Sequence, residues 1–89
     1  MADALDLDCG IATSRITSWL DDELGLPCSD CCWTFSEHHR TCLVQVEPLE
    51  SRTFGTISLE RTRLIAHGDP EAVESFNRLF TLRFISAGG

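Results

Sequence analysis

Residues 31–49 read CCWTFSEHHRTCLVQVEPL. Trp33 and Phe35 share one parity in its first part, as do Val44 and Val46 in its last part. Because alternate residues of a strand point to the same face, each part predicts a strand with one apolar face. The central SEHHR lacks the Asn-Gly pair of many two-residue turns, but two strands this close in sequence still predict a β-hairpin.

The residues before the hairpin predict a helix over residues 9–27, CGIATSRITSWLDDELGLP. Its apolar members fall on one face of a helical wheel, as expected for a helix that packs on a core. These members are Cys9, Ala12, Ile16, Trp19, Leu20 and Leu24. Asp8 is the expected N-cap. Gly25 followed by Leu26 and Pro27 fits a glycine C-cap with a proline stop.

After the hairpin, GTISLERTRLIAHGD predicts a third strand whose alternation changes phase. Ile57 and Leu59 share one parity, whereas Leu64 and Ala66 share the other. We expect one long strand with a bulge near residues 60–62 that resets the register. The alternative is a turn at that point, which would make two short strands.

The next residues, HGDPEAVESF, predict the start of a second helix. Asp69 is the expected N-cap, and Pro70 occupies the first helical position. Glu71 lies in the first turn, where the helix dipole favours an acid. The buried stripe is expected to contain Val73, Phe76 and Phe80, with Ala72 and Leu79 beside them.

These elements predict a two-layer α+β fold in the order α-β-β-β-α, with a three-stranded antiparallel sheet packed against two helices. A fourth strand at the C-terminus is an alternative. Residues 1–89 are expected to form one small domain, with residues 1–8, MADALDLD, as an acidic, frayed lead-in. The order of elements resembles that of double-stranded-RNA-binding domains. Their basic cluster at the second helix is replaced here by Asp69, Glu71 and Glu74, so we do not carry over their function.

The charge balance argues against two classes of partner. The chain contains 14 acidic and 7 basic residues, for a formal net charge of −7, and every basic residue is an arginine. Binding to phosphate backbones or anionic membranes requires clustered Lys and Arg, so we expect no nucleic-acid and no membrane partner. The chain lacks a long apolar segment, and its acidic start lacks the features of a signal peptide, which predicts a cytoplasmic protein with reduced thiols.

Residues 28–42, CSDCCWTFSEHHRTC, contain four cysteines and two histidines. One hypothesis is a zinc site of the pattern C-x2-C-x6-H-x3-C, because thiolates and a neutral imidazole suit this ion. Its ligands would be Cys28, Cys31, His38 and Cys42, with Cys32 and His39 as spare ligands. Strand geometry opposes this hypothesis, because Cys31 and Cys32 point to opposite faces and His38 lies about 20 Å from Cys31 along the strand. We therefore favour cysteines that fill the core as small apolar residues, with no cofactor.

Two catalytic hypotheses use the same stretch. Cys28 and Cys31 have the spacing of dithiol oxidoreductases, but they follow a predicted helix, whereas those enzymes place the first cysteine at a helix N-terminus. The three residues Glu-His-His before Arg40 resemble part of the Glu/Gln-His-His-Pro signature of pterin-4a-carbinolamine dehydratases, which are small α+β enzymes. Arg40 stands where that signature has proline and the surrounding chain does not match it, so we do not assign the chain to this family. A small enzyme that uses His38 and His39 is a separate, third hypothesis.

The C-terminal segment FNRLFTLRFISAGG predicts a contact surface. If the second helix continues, Phe84 extends its apolar stripe, and Leu82 and Ile85 lie on its polar side. If TLRFI is instead the fourth strand, Leu82 and Phe84 share one face of an open edge. Both alternatives leave large apolar side chains uncovered, which predicts an interface at Leu82, Phe84 and Ile85.

These observations predict a small acidic protein that acts through protein–protein contacts. We expect an accessory or regulatory subunit that forms a homodimer, because a domain of this size gains stability from self-association. A zinc-binding module built on residues 28–42 is the alternative function. The small enzyme with the histidine pair is the third.

Overall fold

The computed structural model describes residues 4–85 and shows an α+β fold in which two helices pack on a five-stranded antiparallel sheet. The strands are β1 (Ala4–Cys9), β2 (Cys28–Ser29), β3 (Cys32–Glu37), β4 (Arg40–Phe54) and β5 (Ile57–Gly68). The helices are α1 (Thr13–Ser18), continued by a wider π turn over Trp19–Glu23, and α2 (Pro70–Phe80), continued in the same way over Thr81–Ile85. The order across the sheet is β1-β5-β4-β3-β2.

The α+β class is confirmed, but the expected order of elements is wrong. The order is β-α-β-β-β-β-α rather than α-β-β-β-α, and the sheet has five strands rather than three. The two additional strands are β1 and the short β2. The alternative of a C-terminal fourth strand is also wrong, because Thr81–Ile85 is helical.

The predicted hairpin is confirmed as β3 and β4. The two strands stay in register up to the pair Glu37 and Arg40, so the turn consists of His38 and His39 alone. Both histidines have a positive φ, 52° and 66°, as the central residues of a type I′ turn require. Histidine is among the non-glycine residues enriched in this conformation, so the turn forms without an Asn-Gly pair.

A second tight turn joins β2 to β3. Ser29 pairs with Cys32, and the two residues between them, Asp30 and Cys31, have φ angles of 52° and 61°. β2 contains only two residues, so this hairpin forms a short edge of the sheet.

Residues 4–9 form the opposite edge, and the expectation of a frayed lead-in is wrong for them. β1 pairs with β5 along its whole length, from Ala4 opposite His67 to Cys9 opposite Thr62. Residues 1–3 of the expected lead-in lie outside the described residues.

Alternation explains why this acidic segment forms a strand. Leu5 and Leu7 are half-buried against the core and Cys9 is buried, whereas Asp6 and Asp8 are exposed. This is the period-two pattern of a strand with one buried face. The pattern is difficult to recognise in the sequence, because the segment is acidic and only six residues long.

The predicted start of the first helix is wrong, and its predicted end is confirmed. Asp8 lies in β1, and α1 begins at Thr13, after Ala12, whose side chain forms no cap. The helical segment ends before Gly25, which has the positive φ of 60° expected for a glycine C-cap.

The third predicted strand is one continuous strand, β5, and the register irregularity lies across from it. Leu49 of β4 faces Arg61 and Arg52 faces Leu59, so two residues of β4 oppose the single residue Glu60. The extra residue is thus in β4. The apparent change of phase in β5 is not caused by this extra residue. It arises because the outer half of β5 forms a two-stranded ribbon with β4 that extends beyond the helices, where apolar side chains do not face the core.

The helices cover one face of the sheet and bury a single core. Asp69 caps α2 as predicted, since its carboxylate accepts hydrogen bonds from the backbone N–H groups of Glu71 at 2.9 Å and Ala72 at 3.3 Å. The predicted stripe of α2 is confirmed, with Leu79 only half-buried. The buried apolar residues are Cys9, Ile16, Trp19, Leu20, Trp33, Phe35, Cys42, Val44, Leu64, Ala66, Ala72, Val73, Phe76 and Phe80.

Candidate functional site

The end of α2 presents two of the three predicted interface residues at the surface. Leu82 and Ile85 are 62% and 54% exposed, although both are large apolar residues. Phe84 is half-buried and packs against the core. The exposed part of this surface therefore consists of Leu82 and Ile85, and Phe84 packs between it and the core.

Contacts of Phe84 fix this helix end against α1. The centroid of its ring lies 5.4 Å from that of Trp19 in an edge-to-face arrangement. The guanidinium carbons of Arg15 and Arg83 lie 5.5 Å and 5.1 Å from the Phe84 centroid, within the range of a cation–π contact. Arg83 also binds Glu23 through hydrogen bonds of 3.2–3.3 Å. Leu82 and Ile85 are therefore held on a supported turn of helix.

A groove of about 420 Å³ lies between this helix end and β1. Its walls are mainly hydrocarbon. They are formed by Leu7, Asp8 and Cys9 of β1, by Gly10 and Ile11 after it, and by Phe84 and Ile85 of the helix end. Ile85 thus belongs both to the exposed helix end and to the groove.

The outer side of β1 is uncovered by any other strand of residues 4–85, because β1 is the first strand of the sheet. An edge strand directs alternate backbone N–H and C=O groups away from its neighbour, and these groups can pair with an added strand. The groove runs beside this edge on the helix side of the sheet. A segment that pairs with β1 would therefore also meet an apolar wall.

Arginines of β5 neutralise the acids of β1. The Asp6 carboxylate accepts hydrogen bonds from Arg63 at 3.0 Å and 2.7 Å, and Asp8 is paired with Arg61. These hydrogen bonds hold the pKa of both carboxyl groups below its ordinary value. The open face of this edge therefore presents ion pairs rather than free carboxylates.

Thr62 anchors the connection that follows β1. Its hydroxyl is completely buried and donates a hydrogen bond of 2.6 Å to the carbonyl oxygen of Ile11. Because the only hydrogen of the Thr62 hydroxyl is used in that bond, the hydroxyl of Thr13 is the donor in its 2.8 Å hydrogen bond to the Thr62 oxygen. The two bonds tie the chain between β1 and α1 to the middle of β5, which holds one wall of the groove.

The β4–β5 ribbon carries a second exposed apolar surface. Phe54, Ile57 and Leu59 are 55%, 60% and 49% exposed, and strand pairing places them on one face of the ribbon. A second cleft, of about 330 Å³, lies between Leu59 and β1, and it shares Asp8 and Gly10 with the first groove. The groove and the cleft therefore share the end of β1, and Leu59 is the one residue of the exposed apolar trio that lines the cleft.

The four proposed zinc ligands are dispersed. Cys28 is exposed in β2, and Cys42 is buried in β4 opposite Phe35. Cys31 and His38 lie in the turns at the two ends of β3, so that strand separates them by about 20 Å. Within residues 4–85, no three His, Cys, Asp or Glu side chains are placed so that they could hold a metal ion.

The cysteines divide into a buried and an accessible group. Cys9 and Cys42 fill core positions as predicted, and burial raises the pKa of both thiols, that of Cys42 to about 11. These thiols remain protonated and unreactive at neutral pH. Cys28 and Cys31 are exposed, and Cys32 is half-buried and accepts a hydrogen bond from the Gln45 amide. The prediction that Cys31 or Cys32 also fills a core position is therefore wrong.

His38 and His39 form the exposed tip of the β3–β4 hairpin. Neither lines the groove or the cleft described above. Their positions are explained by the positive φ that the turn requires.

Comparisons of the chain with models of known protein families, with curated proteins and with solved structures find no match. Within residues 4–85, no helix has the length and apolar character needed to cross a membrane. Function must therefore be inferred from the chemistry of the surface. The part of that surface missed by sequence reasoning is β1, whose alternating Leu and Asp residues were the available signal.

Proposed function

We propose that this protein acts through protein–protein contacts as an accessory or regulatory subunit, and that it forms a homodimer through the end of α2 and the adjacent groove. One observation carries the proposal. Leu82 and Ile85 remain exposed on a firmly supported helix end, next to an apolar groove that follows a strand edge with no neighbouring strand within residues 4–85. Large apolar surfaces of this kind, continuous with a groove, are typical of contact sites.

Burial of the two side chains would provide part of the binding free energy. Full burial of one Leu or Ile side chain stabilises by about 1.5–3 kcal/mol. Association also costs translational and rotational freedom, so a stable interface needs about 800 Å² from each partner. Two side chains cannot supply that area, and the groove and the edge of β1 provide the additional surface.

The charges near this surface are compatible with self-association. Arg83 is bound to Glu23, and Asp8 to Arg61, so these charged groups beside the apolar residues are already paired. The net charge of −7 on each copy still produces repulsion at long range. Salt screens such repulsion with a Debye length of about 10 Å at 0.1 M, so we expect tighter association at moderate than at low ionic strength.

Native mass spectrometry of protein purified without added metal or chelator tests the proposal directly. We expect a metal-free dimer. A monomer at all concentrations would contradict the homodimer. A stoichiometric zinc ion, lost together with the folded charge states on acidification, would instead support the alternative of a zinc-binding module.

Substitution of the contact residues tests which surface is used. We expect Leu82→Asp and Ile85→Asp to weaken the dimer about tenfold or more. Each substitution removes an apolar side chain that dimer formation would bury, and it introduces a charge in its place. The matched control is Leu43→Asp, since Leu43 is 39% exposed on the sheet face away from the helices. Light scattering during size-exclusion chromatography measures the mass of each variant. Equal dissociation of the control would show that the effect is not specific to the end of α2.

A further inference from the structure

The two edges of the sheet differ in their capacity to accept another strand. β2 has two residues, whereas β1 has six, and no strand of residues 4–85 pairs with the outer side of either. Proteins commonly protect edge strands with inward-pointing charges, prolines, bulges or a covering element. β1 contains no proline, its pairing with β5 is regular, and its two acids are tied to arginines on the open face of the sheet.

The space beside β1 is suited to alternate apolar side chains. A strand added to this edge would place every second side chain on the helix side, next to the groove lined by Leu7, Phe84 and Ile85. The remaining side chains would lie on the open face, next to the ion pairs of Asp6 and Asp8. The edge therefore fits an extended segment that alternates between apolar and polar residues.

β1 itself has this pattern, with Leu5 and Leu7 on one face and Asp6 and Asp8 on the other. We infer that β1 of a second copy pairs antiparallel with β1 about a twofold axis, so that two five-stranded sheets join into one of ten strands. This inference rests on the proposed homodimer and specifies how its two copies meet. The strand pairing also extends the contact surface that includes Ile85, because the same groove borders both Ile85 and β1.

Side-chain orientation and charge select one register. Opposed residues must share a face, so the twofold axis passes through the position of one residue. The two axes that pair the most residues of β1 pass through the position of Asp6 or that of Leu7. An axis at Leu7 would place Asp6 of each copy opposite Asp8 of the other, which creates two contacts between like charges. An axis at Asp6 creates one such contact and places Ala4 opposite Asp8. Because opposed like charges destabilise strand pairs, the axis lies at Asp6.

This register brings apolar residues together on the helix side. Leu5 of the second copy lies opposite Leu7, whose side chain forms part of the groove wall. Antiparallel pairing then directs Leu5 of each copy toward the end of α2 of the other copy, near Ile85. Cross-strand apolar pairs of this kind stabilise a sheet by about 0.2–1 kcal/mol each.

Disulfide cross-linking tests the pairing and its register together. Opposed residues of antiparallel strands have Cα atoms about 4.5–5.5 Å apart, within the range that a disulfide bridges. Asp6→Cys should therefore form an intermolecular disulfide under mild oxidation. Ala4→Cys is the matched control on the same face, because four residues separate the two copies of Ala4 along the strand, which is about 14 Å. Both variants are made with Cys28, Cys31 and Cys32 replaced by serine, which removes the accessible native thiols.

We expect a cross-linked dimer as the main species for Asp6→Cys and as a minor species for Ala4→Cys on a non-reducing gel. A dimer by native mass spectrometry that does not cross-link at residue 6 would overturn the strand pairing and leave the homodimer intact. Equal cross-linking of the two variants would indicate random encounters and would also overturn it. A monomeric wild-type protein would overturn both proposals.

Hydrogen exchange of the wild-type chain gives a second test that needs no substitution. Backbone N–H groups on the outer side of β1 should be protected at high protein concentration and should lose protection on dilution, in step with dissociation. Protection that does not depend on concentration, or fast exchange in the dimer, would contradict pairing through β1.

Discussion

The two edges of the sheet contrast in a way that the amino-acid composition conceals. The β2 edge belongs to the stretch with four cysteines and two histidines, yet it is two residues long and joined to β3 by a tight turn. The β1 edge belongs to a plain acidic segment, yet it is six residues long, uncovered by other strands of residues 4–85 and bordered by an apolar groove. Residue chemistry therefore indicates a site only when the backbone brings the side chains together.

The anchoring of the two edges also differs. Near the β2 edge, the indole N–H of Trp33 in β3 donates a hydrogen bond of 2.8 Å to Asp21. This bond joins β3 to the first helical segment. Near the β1 edge, Thr62 binds the chain between β1 and α1 through two hydrogen bonds. Both edges are thus fixed in place, but β1 offers a longer row of backbone groups to another strand than the two-residue β2 does.

The largest effect expected in a test of this comparison concerns the cysteines. Cys42→Ser should destabilise the protein by about 2 kcal/mol, because a hydroxyl group replaces a thiol in a site that is 1% exposed. For a domain of this size that corresponds to a melting temperature lower by roughly 10 °C. Cys28→Ser, on the exposed β2 edge, should leave the melting temperature unchanged with or without a chelator. A chelator-dependent decrease for Cys28→Ser would restore a metal role to this edge.

A smaller effect is expected from the anchor of the β1 edge. Thr62→Val preserves the shape of the side chain and removes its hydrogen bonds to Ile11 and Thr13, which should lower the free energy of unfolding by about 1 kcal/mol. The control is Thr53→Val on the exposed ribbon. Urea unfolding measures both variants. If the dimer also weakens more for Thr62→Val than for the control, the groove wall contributes to the interface.

The smallest effect is expected from the ion pairs of β1. The pKa of Asp8 is lowered by its hydrogen bond with Arg61, so this pair stabilises β1 at pH values above the ordinary carboxyl pKa of 3.8, and the stabilisation is lost as the pH falls through the folded-state pKa. Exposed ion pairs contribute little, so Asp8→Asn should accelerate amide exchange in β1 only slightly. Glu74→Gln, which breaks the exposed Arg78 pair on α2, is the control. An equal change in β1 for both variants would show that the Asp8 pair has no local role.

Local patterns in the sequence were sufficient for several elements. The β3–β4 hairpin follows from alternation, and the cap of α2 follows from Asp69 and Pro70, because strand faces and helix ends are decided by neighbouring residues. Gly25 ends the first helical segment for the same reason. The exposure of Leu82 and Ile85 was also predictable, since it depends on helical periodicity alone.

Other features of the fold depend on contacts between residues that are far apart in the sequence. β1 becomes a strand because β5 offers it a register and two arginines more than fifty residues away, which no local pattern reveals. The cysteines and histidines of residues 28–42 stay apart because two tight turns send Cys31 and His38 to opposite ends of one strand. Local sequence thus predicts which residues are apolar and where hairpins and helix caps form, whereas long-range strand pairing sets which edge has no neighbouring strand within residues 4–85.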